Sequence, residues 1–392
     1  MFETPDAATA ESAPRVVSRR RFLGAGATGG ALIAGGLPVI LAACASSTKA
    51  AVTAAVTTVA PTPSTVAGAT TAAAPAVMSD LGKMSLRLSW IKNAEFAGSY
   101  FADDKGYYKK MGFSSVELIT GGPSASPMEI DVASGKALAG ISSPDSVAAA
   151  IAKGADLVII GAQYQKNPFC VMSLASKPVK TPQEMYGKKF GLQAGNQVIW
   201  DAFVKASGID DTKIVKVPAQ FDPAPLVNGE ADTWMSFVTN EPNTLKMKGI
   251  ETVSFLLADY GYPLVSEVYF VKRETLTKER DKVKAFLKAE ILGWRDAYKD
   301  PKAAASLTAD KYGKDLGLDA AEQTLEAESQ NKLIWTDDTK ANGIFTVTDA
   351  LVKANIDVLS KADIVITADK LFDFSLLAEI YKENADWKIP PA

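Results

Sequence analysis

Between Ser85 and Leu256, short apolar runs alternate with amphipathic stretches, and the alternation restarts once, at Thr181-Pro182. Such a pattern commits a chain to helices packed on mostly parallel sheets, an α/β architecture. In the first set the spacing predicts strands Ser85–Trp90, Val116–Ile119, Ala137–Ile141 and Leu157–Gly161. Helices Phe96–Met111, Pro127–Ser134 and Ser143–Lys153 lie between them. Phe169–Leu174 reads as a strand crossing to the second set. There, strands Lys189–Leu192, Lys213–Lys216, Thr233–Ser236 and Thr252–Leu256 alternate with helices Gln197–Ser207, Pro223–Asn228 and Pro242–Lys248. Val265–Val271 reads as the strand crossing back, and from Thr275 to about Tyr381 the pattern is helical. Two crossing segments between two α/β lobes predict a clamshell whose cleft lies at the carboxyl ends of the strands.

The chain ahead of this pattern has a different character. Ser18-Arg19-Arg20-Arg21-Phe22-Leu23 fits the twin-arginine export pattern and opens an apolar run that stops at Leu41-Ala42-Ala43-Cys44. Six glycines and Pro38 interrupt the run, making it a poor permanent span. Charged residues followed by an apolar run mark a secretion signal, set aside from fold reasoning. The small residues before Cys44 resemble a bacterial lipobox, so Cys44 is the expected lipidation site and Arg19 and Arg20 the export determinant. Several buried acyl chains, at about 0.8 kcal/mol per CH₂, would anchor the protein firmly. Residues 45–82 are Ala, Thr, Ser, Val and Pro with almost no charge, a flexible tether reaching roughly 35 Å. The expected division is a signal over 1–44, the tether over 45–82, a first lobe over 83–170 and a second over 171–266. Residues 267–392 return to the first lobe with a helical C-terminal part.

Composition excludes several chemistries. The net charge of −3, or −4 once residues 1–44 and their four arginines and three acids are removed, argues against a nucleic-acid partner. No histidine is present, which removes the usual general base, the usual zinc ligand and most triad chemistry. Beyond residue 82 the only cysteine is Cys170, set in the apolar run Phe169-Cys170-Val171-Met172 as a small hydrophobe. No catalytic residue, metal ligand or cofactor site is expected.

Trp90-Ile91-Lys92-Asn93, Phe96-Ala97-Gly98 and Gly106-Tyr107-Tyr108 resemble the opening of solute-binding proteins of the nitrate/sulfonate/taurine/thiamine-precursor importer group. Thr181 to Gly191 (TPQEMYGKKFG) resembles the segment that begins their second lobe. Thr239-Asn240-Glu241-Pro242 and Asp259-Tyr260-Gly261-Tyr262 resemble the vitamin-precursor branch more than the sulfonate branch. The likeness covers about Ser85 to Leu276 and, more loosely, the helical tail. It implies a type II periplasmic-binding-protein fold, closing by a hinge motion around a small ligand delivered to an ABC permease and its ATPase. The protein would be a monomer held on the outer face of the cytoplasmic membrane by its lipid. The same superfamily includes a thiamine-pyrimidine synthase that consumes its own histidine, a residue absent here.

In a cleft of this geometry, ligand groups come from strand ends and helix starts. Trp90, with Asn93 and Glu95 in the following loop, is placed either to stack on a flat ring or to pack under the first helix. Gly121 to Ser124, and Ser142 with Ser143, precede helices, either as acceptor-binding backbone or as ordinary caps. Tyr164, Asn167 and Phe169 flank the first crossing, facing either cleft or hinge. In the second lobe Asn196 and Gln197 open a helix that carries Trp200, a candidate contact or a buried face residue. Trp234, Phe237, Asn240 and Glu241 surround a strand end, where Glu241 either accepts from an amino-pyrimidine or flavin edge or interacts with its helix dipole. Tyr260 and Tyr262 sit beside the second crossing. No arginine lies between Trp90 and Lys272, so the planar capture of sulfonate or phosphate is not favoured. The expected ligand is a flat heterocycle, a thiamine pyrimidine precursor or a riboflavin-like ring. A receptor for nitrate, taurine or alkanesulfonate is the alternative on the same fold, and a tethered cleft enzyme or a two-lobed sensor the alternatives in other classes.

Overall fold

A computed structural model describes residues 80–391. The export arginines Arg19 and Arg20, the lipidation site Cys44 and nearly all of the tether lie outside the described residues. Among the described residues no helix is long and apolar enough to cross a membrane.

The strands are β1 (Lys83–Arg87), β2 (Ser115–Ile119), β3 (Ala139–Ser142), β4 (Leu157–Tyr164) and β5 (Phe169–Leu174), then β6 (Lys189–Gln193), β7 (Val215–Ala219), β8 (Thr233–Phe237), β9 (Thr252–Leu256) and β10 (Ser266–Lys272). They form two five-stranded sheets with orders β2-β1-β3-β10-β4 and β7-β6-β8-β5-β9. Each sheet is built alike. Three parallel strands joined by helices are followed by one antiparallel strand inserted beside the last of them. In the first sheet that inserted strand is β10, paired to β3 and β4; in the second it is β5, paired to β8 and β9. The chain therefore passes between the sheets twice, over 165–168 and over 257–265.

Strands β3 and β4 are buried throughout, as a sheet covered on both faces requires. Trp294 and Gly293, on the long helix Arg280–Lys299, pack against Gly98 of the helix Ala97–Asp104. A Cβ at residue 98 would run into the Trp294 ring and one at residue 293 into the Gly98 carbonyl, so this crossing needs both glycines.

Element boundaries shift where local chemistry overrides periodicity. The single helix expected over Phe96–Met111 is two, Ala97–Asp104 and Tyr107–Lys110, broken at Gly106 in the left-handed conformation (φ 66°) that ends helices. The strand expected at Lys213–Lys216 begins two residues later. Asp210 caps a short turn over Asp211–Lys213 by accepting from the Thr212 N–H.

Candidate functional site

The carboxyl ends of β1, β3, β6 and β8 face one another across the two lobes and enclose a cleft of roughly 400 Å³, the size of a small-molecule site. Trp90, Phe169 and Phe237 supply its aromatic surface. Phe169 meets Phe237 edge-on at 4.4 Å between ring centroids, and Phe237 also meets Tyr164 at 6.4 Å. These rings sit at the first crossing, so the wall of the cleft is also the packing around that crossing.

Four carboxyls line the cleft: Glu95, Glu129, Glu241 and Glu267. All are buried. Burial holds each above the usual carboxylate range, Glu267 at about 7 and Glu241 at about 8. Glu95 is raised further by the neighbouring Glu267, Glu326 and Glu241. The Ser89 hydroxyl donates to Glu267 at 2.6 Å and lies 3.4 Å from Glu95. Ser142 donates to Glu129. Lys153 is the single cationic side chain among the described residues lining the cleft, at its exposed edge.

Two of the helix starts at the cleft carry carboxylates of their own, while those of Met128–Ala133 and Gln197–Ser207 also line it. Asp145, at the start of Pro144–Ala152, accepts from the Ser146 N–H at 3.0 Å and from the Ser143 and Tyr262 hydroxyls. Glu241, opening Glu241–Met247, accepts from the Phe237 N–H at 2.9 Å.

Of the residues singled out from sequence, Trp90, Glu95, Gly122, Ser124, Ser142 and Ser143 line the cleft from the first lobe, Phe169 from the first crossing, and Asn196, Phe237, Asn240 and Glu241 from the second lobe. The others do not. Trp200 is fully buried, packs on Phe190 and Phe203, and donates its indole N–H to Asp211 at 2.7 Å. Trp234 is fully buried over Gly191, whose missing side chain makes room for the indole. Tyr262 donates its hydroxyl to Asp145 inside the core. Asn93 donates to Glu326 at 2.8 Å, and Asn167 turns back to accept from the Phe169 N–H that opens β5. Gln197 pairs with Asp201 on its own helix, and Tyr260 reaches the Lys180 carbonyl. Sequence reasoning missed Ser89, Glu129 and Glu267. Glu129 lies within a short helix and Glu267 within a crossing strand, where no cap or turn signal marks them.

Trp90 and Trp234 therefore part company in their expected effects. Trp90→Ala weakens binding of a flat ligand by about 1–3 kcal/mol, by analogy with base–aromatic stacking. Trp234→Ala instead lowers the unfolding midpoint by opening a cavity of about 3–5 kcal/mol. Titration and urea melts of both variants check this; equal affinity loss in both would misplace the cleft.

The profile of the NMT1/THI5-like family matches residues 93–304, just over half of the 392-residue chain. The riboflavin-binding protein RibY of Chloroflexus aurantiacus is 27% identical over 262 residues, 64% of this chain and 72% of that protein. The 4-amino-5-hydroxymethyl-2-methylpyrimidine phosphate synthase of Legionella pneumophila is 27% identical over 233 residues, 57% of this chain and 72% of that one. Among solved structures, the ligand-binding component of an ABC-type import system from Staphylococcus aureus, with zinc bound, superposes with a TM-score of 0.55 at 13% identity. The match covers 76% of this chain and 98% of that one, a likeness of fold alone. Among the described residues no group of three or more acidic or cysteine side chains is arranged to hold a metal. With a two-lobed periplasmic-binding-protein fold and a profile match across both lobes, this chain belongs to the NMT1/THI5-like family.

Proposed function

We propose that this protein is the extracytoplasmic receptor of an ABC importer. It captures a small flat heterocycle, a thiamine pyrimidine precursor or a riboflavin-like ring, and hands it unchanged to a permease. The observation that carries this reading is a cleft with aromatic walls, four buried carboxyls and no arginine among its described lining residues. Aromatic faces suit a flat ring, and carboxyls suit its N–H groups. The relatives named for riboflavin and for a thiamine pyrimidine point to the same ligand classes.

Nitrate, taurine and alkanesulfonates fit this cleft poorly, because four buried carboxyls line it against one cation, Lys153, at its exposed edge. Catalysis is also disfavoured. The chain has no histidine, and burial pushes the Cys170 thiol far above its ordinary range, leaving it no nucleophile at neutral pH. Export through Arg19 and Arg20, lipidation at Cys44 and partnership with a permease and its ATPase complete the proposal. The lipid is checked by the mass of the mature protein and its loss in Cys44→Ala.

A thermal-shift panel tests the ligand class, with thiamine, its aminopyrimidine and formylaminopyrimidine precursors, riboflavin, nitrate, taurine and an alkanesulfonate. A ligand at a hundred times its dissociation constant adds about 2.7 kcal/mol of stability. A shift with a heterocycle alone supports the reading, and a shift with a small anion alone overturns it. Recovery of unchanged ligand after denaturation separates receptor from enzyme.

A further inference from the structure

The fold treats its buried carboxyls unequally. Glu290, in the core of the first lobe, accepts from three hydroxyls, those of Ser99, Tyr108 and Tyr269. Glu95 and Glu267 are almost as deeply buried, at 2% and 4% exposure, yet they share a single protein hydroxyl, that of Ser89, and both line the cleft. The Ser89 hydroxyl, 2.6 Å from Glu267 and 3.4 Å from Glu95, sits between the two carboxyls and makes them near neighbours. Two buried carboxyls this close do not ionise together freely, since each raises the cost of charging the other, and the pair retains a proton. After that proton and the Ser89 hydroxyl are counted, lone pairs remain at the cleft floor with no donor from the described residues. Glu326 and Glu241, the other charges acting on Glu95, are acidic too and bring no donor cation. Glu267 also holds a left-handed backbone conformation (φ 50°), unusual for glutamate, where β10 begins.

We infer that the Glu95–Glu267 pair sets which heterocycle the cleft takes, by demanding a ligand edge made of donors. This rests on the receptor reading above and narrows it. An aminopyrimidine presents an exocyclic N–H beside a ring nitrogen that takes up a proton, the two-donor fork a carboxylate accepts in parallel. A pyrimidinone, or the carbonyl-flanked edge of an isoalloxazine, offers one ring N–H but sets a carbonyl where the aminopyrimidine has its amino donor, so one of the two parallel bonds is lost and acceptor faces acceptor there. The pair thus selects the aminopyrimidine class over the flavin class, although a relative is named for riboflavin.

The test is a calorimetric titration of the whole protein with the thiamine aminopyrimidine, the pyrimidinone of identical substitution, and riboflavin. The same titrations are run on Glu95→Gln and Glu267→Gln. The wild-type protein is expected to prefer the aminopyrimidine over the pyrimidinone by roughly tenfold to hundredfold. Either glutamine, whose amide supplies a donor, should cut that ratio at least several-fold and improve pyrimidinone binding. Equal wild-type affinities, or a preference for riboflavin, overturn the inference while leaving the receptor reading intact. A preference that survives both substitutions also overturns it, by moving the discrimination elsewhere in the cleft. Should no heterocycle bind, the inference and the receptor reading fall together. The wild-type ratio needs no variant to fold.

Discussion

Replacing Arg87 with methionine is expected to remove about 3–5 kcal/mol of stability and to weaken ligand binding as well. Arg87 lies on β1 with 3% of its surface exposed, and its Nε donates to Asp131 at 2.7 Å. Its other nitrogens donate to backbone carbonyls of Leu88, Thr120 and Ser126. Thr120 and Ser126 bracket the loop whose Gly122, Ser124 and Ala125 line the cleft, so one guanidinium ties the end of β1 to a cleft wall. Methionine fills much of the volume but leaves Asp131 buried, with only Lys136 at 3.1 Å from the protein's edge to offset its charge. Asp131→Asn separates the two roles. It removes the ion pair while leaving the carbonyl contacts, so it should lower stability but hold the loop and the affinity. Urea melts and ligand titrations of both variants check this. Unchanged affinity in Arg87→Met would show that the loop keeps its shape without the strut.

Much of the fold is legible because short apolar runs end at turn residues. Phe169–Leu174, Gln197–Ser207 and Thr252–Leu256 form where the spacing places them. The cleft is only partly legible, for reasons that differ by residue. Strand ends and helix starts identify Trp90, Ser142, Asn240 and Glu241 because topology alone brings them to the interlobe face. Aromatic character does not separate a ligand contact from a core residue, and Trp234 joins the core because Gly191 on the neighbouring strand leaves room for it. Glu267 is invisible since nothing local distinguishes a strand glutamate facing solvent from one facing a cavity. The helix Ala320–Ile334 defeats periodicity altogether, as the face it buries is polar: Glu322, Gln323, Glu326 and Gln330. Those side chains receive the Ala94 N–H and the Asn93 amide, and Gln330 donates back to the Ala94 carbonyl. The helix holds the loop that carries Glu95 by hydrogen bonds that only the assembled fold reveals.

Stability is expected to fall as pH rises from about 5 to 8, opposite to a protein whose carboxylates are paired with cations. Burial holds Glu267 and Glu290 at about 7 and Glu241 at about 8, each above its ordinary 4.5. Between those limits the folded protein binds more protons than the unfolded chain, so deprotonation favours unfolding; below 4.5 both states are protonated and this penalty vanishes. One group loses at most about 1.4 kcal/mol per pH unit, so Glu290 alone accounts for roughly 3 kcal/mol over its window. At the acid end the exposed Glu379 and Glu383 act in the other direction. Their lysine and arginine partners depress them, Glu383 to about 2, and the stability they add is lost as pH falls below 4.5. The optimum should therefore lie near pH 5. Urea unfolding from pH 4 to 9 reads the profile. Glu290→Gln, which keeps the shape and removes the titration, should flatten the fall by one group's share. The groups around Glu290 are the hydroxyls of Ser99, Tyr108 and Tyr269, with no cation among its hydrogen-bond partners. A profile that stays level or rises from pH 5 to 8 would mean that those hydroxyls outweigh burial and hold the carboxyl ionised in the folded state.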